Sequence, residues 1–99
     1  MKCKINRNAA KELKKMLNTE EAEGKMPRVY VTIDHGDHAH YDVKLDTPTE
    51  HDEIVKTDKD VDILLDARED FLDGVWIKYF HVDNRGFEIT NSAKGSHHP

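Results

Sequence analysis

Seven consecutive residues, Asp34-His35-Gly36-Asp37-His38-Ala39-His40, gather three imidazoles and two carboxylates around a single glycine. Neutral imidazole nitrogen and carboxylate oxygen are the ordinary ligands of zinc, ferrous iron and neighbouring divalent metals. Spacing narrows which of them could share an ion. Alternate residues of an extended chain face the same way, so His38 and His40 stand roughly 6.6 Å apart at Cα, a span that two imidazoles bridge around one metal. Asp42 faces the same way but lies roughly 13 Å from His38 along the strand, which suits it to orient His40 rather than to ligate. The third ligand then comes from His35, Asp37 or Asp34 in the turn, or from His98 in a C-terminal tail. Two histidines and a carboxylate, with open positions, suit Fe2+ or Zn2+. The same string also reads as a polar turn, because Asp is at home in loops and Gly36 permits a sharp bend. Both readings predict a turn, but only the first requires the side chains to converge.

The elements on either side of the string must position it. Val29, Val31 and Ile33 alternate with polar residues over 28–33, and Tyr41, Val43 and Leu45 alternate over 41–45. Each has the period of a half-buried strand, and together they predict a hairpin with the histidines near its turn. Before the hairpin, Ala9, Ala10, Leu13, Met16 and Leu17 recur at helical spacing, with Asn6 or Asn8 as the cap, which predicts a helix over 8–17. After it come a short strand at Ile54-Val55 and an alternating strand through Val61, Ile63 and Leu65. A helical turn or two follows within 66–72, before the Asp73-Gly74 turn. Residues 75–82 carry apolar side chains at both parities, which predicts a strand buried on both faces with Trp76 and Phe80 in the core. Phe87 to Thr90 forms the last strand. One helix followed by about six short strands makes the expected fold α+β, mainly β, with two small sheets packed face to face.

The chain has 99 residues, of which 36% are hydrophobic and 35% charged, and a net charge of -5. The expected organisation is one domain over 1–91 and a mobile tail over 92–99. An acidic balance without a basic stripe argues against nucleic acid, and the lysines at 11, 14 and 15 read as a solvated helix face. The first residues lead into no apolar run, so neither a signal peptide nor a membrane span is expected. Cys3 is the single cysteine. It is expected to be exposed ahead of the helix, and with no disulfide to form, the natural compartment is a reducing cytoplasm.

Several strings, taken in order, resemble the HesB/IscA family of A-type iron–sulfur cluster carriers. Phe71-Leu72-Asp73-Gly74, an apolar strand, and then Gly86-Phe87-Glu88-Ile89-Thr90-Asn91 look like that family's "LDG … GF-x-F-x-N" ending. Pro48-Thr49 through Ile54-Val55, and Leu65-Asp66, fit the same alignment, which spans residues 5–91. The resemblance implies a HesB-type fold, a role in iron–sulfur cluster assembly or iron handling, assembly proteins as partners, and a homodimer. Family members carry three cysteines, none of which is present here. The loop cysteine falls at about Gly36, and the C-terminal Cys-Gly-Cys would begin near His98, so the resemblance places Gly36 and His97-His98 in one neighbourhood.

These readings combine into an expectation. The chain binds a mononuclear divalent metal through His35, Asp37, His38, His40 and His98, and does not hold an iron–sulfur cluster, which needs mainly thiolate ligands. It lacks a nucleophile elbow, a phosphate-cradling glycine loop and an HExxH, so it is not expected to be an enzyme. The alternative is a protein-interaction module on a HesB-like fold that binds no metal.

Overall fold

Residues 1–81 and 86–91 are described in the computed structural model. The order is β1 (Cys3–Ile5), α1 (Arg7–Leu17), a 3-10 turn (Glu20–Ala22), β2 (Met26–Asp34), β3 (Ala39–Asp46), β4 (Asp52–Lys56), β5 (Asp62–Asp66), a second 3-10 turn (Asp70–Leu72), β6 (Val75–Phe80) and β7 (Gly86–Thr90). The fold is α+β, mainly β, with one N-terminal helix and two sheets, as the periodicities predict.

α1 forms where its apolar residues repeat at helical spacing, burying Ala9, Ala10 and Leu13. Asn6 is the cap, accepting the Ala9 N–H at 2.8 Å. The same oxygen accepts the Tyr79 N–H at 3.3 Å, and the Asn6 N–H donates to Ile77 O at 3.0 Å, so the cap also fixes the helix start against β6. Lys14 and Lys15 sit in the last turn, where the helix dipole favours cations.

The larger sheet has the order β3-β2-β5-β4 and the smaller β1-β6-β7. Parallel pairs β2–β5 and β1–β6 join three antiparallel pairs. Val29, Ile63 and Leu65 from the larger sheet meet Ile5, Val75 and Ile77 from the smaller, together with Leu13 of the helix, in one core. Leu64 turns away from Ile63 and Leu65 yet is also fully buried, beside Arg28 and Ile54 in the register. Arg28 itself is buried, held by both oxygens of Asp52 (2.5 and 2.6 Å) and by Asp46 (2.9 Å). Hydrogen bonds from the guanidinium hold the Asp52 carboxyl below the ordinary carboxylate range.

Four expectations are corrected. Cys3 does not precede the first element in an exposed stretch, because it lies in a strand of its own that pairs in parallel with β6 and is partly buried. That burial pushes its thiol up to about 12. Ile33 does not share the buried face of Val29 and Val31. The register shifts between Val31 and Ile33, so Thr32 is the extra residue of a bulge, and the parity beyond it is reversed. Ile33 is consequently 53% exposed. The strand at Val75–Phe80 is not buried on both faces, and Trp76 and Phe80 are not core residues, with exposures of 43% and 42%. Its inward parity, Val75 and Ile77, packs on the core, while the other face is open among the described residues.

The tail expected over 92–99, with His97 and His98, and the end of the strand expected to reach Val82 lie outside the described residues. Among the described residues no helix is long and apolar enough to cross a membrane.

Candidate metal centre

The hairpin of β2 and β3 pairs from Met26↔Asp46 to Asp34↔Ala39, with the one shift at the Thr32 bulge. Beyond the last pair, the His35 N–H donates to His38 O at 2.9 Å, and Gly36 and Asp37 make the reversal. Gly36 has φ +89 and Asp37 has no positive φ, the pattern of a two-residue turn whose first central position requires glycine. The Asp34 carboxylate accepts the Gly36 N–H at 2.7 Å and closes the turn from below. The seven-residue string is therefore two strand ends and a tight turn rather than a slack loop.

That geometry brings three histidines together. The ligand-capable ring nitrogens of His35, His38 and His40 all lie within 4.8 Å of one another. The His35 and His38 rings stack with centroids 4.6 Å apart, and His40 meets them edge-on at 5.1 and 6.0 Å. Nitrogens bound to one zinc ion at about 2.0–2.1 Å stand roughly 3.0–3.5 Å from each other, a spacing that the three rings would reach only after χ rotations.

Two of the three histidines have neighbours that fix their position. The Thr32 bulge sets Ile33, rather than Thr32, opposite His40 and reverses the parity of β2, so Ile33 faces the solvent side to which the regular alternation of β3 already turns His40. Next in sequence, Tyr41 turns inward, its hydroxyl donating to Phe71 O at 2.9 Å, while burial raises its pKa. Asn91 donates to the same carbonyl at 2.9 Å, so β3 is anchored at its histidine end to the turn before β6 and to the residue after β7. On the other side of the turn, Asp37 Oδ1 lies 2.6 Å from His38 Nδ1. A carboxylate bound to one ring nitrogen fixes the tautomer, leaving Nε2 as the lone pair for a metal, and strengthens it as a donor.

Of the residues singled out in the sequence, the structure joins His35, His38 and His40, and settles His35 as the neighbour of the other two. Asp37 takes the place of an orienting group on His38. Asp42, expected to orient His40, accepts the Val43 N–H at 2.8 Å through one carboxylate oxygen. His98 lies outside the described residues. His51 is exposed near Glu50 and His81 is exposed against Tyr79, as surface residues would be.

The donor set decides what this group suits. Three imidazole nitrogens with solvent on the open side suit a mononuclear zinc or ferrous ion with exchangeable positions. They do not suit an iron–sulfur cluster, whose ligands are dominated by thiolate. The one thiol, on Cys3, belongs to the other sheet, where it is partly buried and neutral. Compared with known proteins, the sequence matches no family model and no curated protein.

Proposed function

We propose that this chain binds one divalent metal ion, Fe2+ or Zn2+, through His35, His38 and His40, with Asp37 orienting His38. The observation that carries this reading is the convergence of three imidazoles at the end of a hairpin, within 4.8 Å of one another. Three fixed ligands with open positions hold an ion that can still be handed on, which suits iron or zinc handling better than a closed structural site. We further propose a HesB/IscA-like role connected with iron–sulfur cluster assembly. Its partners are assembly proteins and a second copy of the chain, and it carries a mononuclear ion in place of a cluster. This rests on the order of strings described above and on the position of Gly36, within the histidine turn, where that family places its loop cysteine.

Calorimetric titration of untagged protein with zinc, and with ferrous iron under anaerobic conditions, tests the site. Wild type is expected to bind one equivalent, and His38→Ala/His40→Ala to lose that phase while keeping its thermal stability without metal, because both side chains face solvent. Binding weakens as pH falls through the imidazole range, since protons compete for the same lone pairs. Equal weak heats for both proteins refute the site and leave the metal-free interaction module. Anaerobic reconstitution with iron and sulfide separates the second part: a stoichiometric cluster that survives desalting refutes the mononuclear reading.

A further inference from the structure

A second constellation lies on the smaller sheet, away from the histidine turn. In β1 the side chains of Cys3 and Ile5 turn toward the core, so Lys4 turns outward, and the register sets it beside Trp76 of β6. Lys4 Nζ lies 5.8 Å and Lys78 Nζ 4.6 Å from the centroid of the indole ring. This indole is 43% exposed, in a fold where Val75 and Ile77 on either side of it are fully buried. Next to it is a cavity of about 480 Å³, lined in part by Lys2, Lys4, Lys56, Cys3, Val55 and Trp76. Among the described residues the lining holds three lysines and no carboxylate, in a chain whose net charge is -5.

The neighbouring acids sit at the edge of the cavity, each with a partner. Glu53 accepts the N-terminal ammonium at 2.5 Å, Asp73 accepts the Lys2 backbone N–H at 2.8 Å, and Glu88 pairs with Lys78 at 3.3 Å. Lys56 has Asp62 at 3.7 Å and is 84% exposed, so this surface pair holds its ammonium only weakly. The thiol on the cavity wall stays neutral and adds no opposing charge. A positive concavity with one aromatic wall attracts an anion that also carries a flat, apolar face. Its volume falls in the range of about 300–1,000 Å³ that holds small ligands.

We propose that this cavity binds a small organic anion bearing a planar ring, with Lys2, Lys4 and Lys56 taking the anionic group and Trp76 taking the ring. A nucleoside monophosphate has this chemistry. Neither half suffices alone, because surface lysines hold a bare anion weakly and one exposed indole holds a neutral ring weakly.

Trp76 is the sole tryptophan, so its fluorescence reports on the cavity directly. The test is a titration of the full chain with AMP at low ionic strength, exciting the indole selectively. Adenosine and inorganic phosphate are run separately, and a Lys4→Glu/Lys56→Glu variant is run beside wild type. The expected result is a saturable change with AMP that weakens as salt rises, falls about tenfold or more in the variant, and is about tenfold or more weaker for either half alone. Both substituted positions are exposed or on the rim, so the variant should keep its circular dichroism spectrum and its zinc titration. The proposal is overturned if AMP gives no saturable change up to about 10 mM. It is equally overturned if the folded variant binds AMP like wild type, or if adenosine or phosphate binds as tightly as AMP.

Discussion

Arg28→Met removes the cation at the root of the hairpin and leaves its partners in place. The guanidinium is 10% exposed at its side chain and the facing Asp52 only 1%. Asp52 would keep the Thr49 N–H at 2.7 Å but lose two charge-assisted bonds, while Asp46, 41% exposed, is rescued by water. Stripping one partner from a buried pair costs about 3–5 kcal/mol because the other charge is stranded. The Thr49 bond and the solvent at Asp46 place this case at the lower end, about 3 kcal/mol. For a domain of this size that lowers Tm by roughly 12–24 °C. The deficit has a signature in pH. In wild type the Asp52 pKa is lowered, so its stabilisation is fully present above the unfolded carboxylate value, about 3.9, and is lost as pH falls through the folded value. In the variant nothing lowers it comparably, so acidification costs wild type more, and the gap between the two narrows from pH 7 toward pH 3. Urea unfolding at several pH values measures this, and Arg28→Met/Asp52→Leu should recover most of the loss. A loss under about 1 kcal/mol at pH 7, or a gap independent of pH, refutes the reasoning.

Other substitutions probe the remaining features. Asp37→Asn keeps the shape of the turn but weakens the acceptor at His38 Nδ1, so zinc affinity should fall by about tenfold with unchanged stoichiometry, read by competition with a chelating dye. Ile77→Ala should cost about 2–5 kcal/mol in urea unfolding, whereas Phe80→Ser on the same strand should stay within about 0.5 kcal/mol, because only the first is buried. Cys3, with its thiol pushed up to about 12, should react with iodoacetamide at pH 8 far more slowly in the native protein than in urea, as followed by mass spectrometry.

What the sequence made legible was set by period. Helical spacing from Ala9 to Leu17 and alternation on both arms of the hairpin carry enough repeats to identify their elements, and the histidine group was visible because its three members lie within six positions. β1 was not visible, because three residues carry no period and their partner strand is far along the chain. Ile33 was misplaced because a bulge is one residue that alternation cannot announce. Trp76 and Phe80 look like core by composition, and only the packing reveals that their face of the sheet has no second layer among the described residues. That His35 groups with the other two histidines while Asp37 meets His38 Nδ1 depended on how the turn orients each side chain. Spacing alone leaves that open.

The pairing of β1 with β6 also governs the order in which the molecule can assemble. The Lys2 N–H that meets Asp73 closes a span of 71 positions, while the hairpin needs only its own turn. Local pairings form early and long closures wait, because their entropy must be met before their contacts contribute. During synthesis the residues of β1 leave the ribosome well ahead of β6 and have no partner until that strand has followed. Cys3, shielded in the finished protein, is therefore open to oxidants and electrophiles throughout that interval, and its protection is a late product of folding rather than a property of its neighbourhood in sequence.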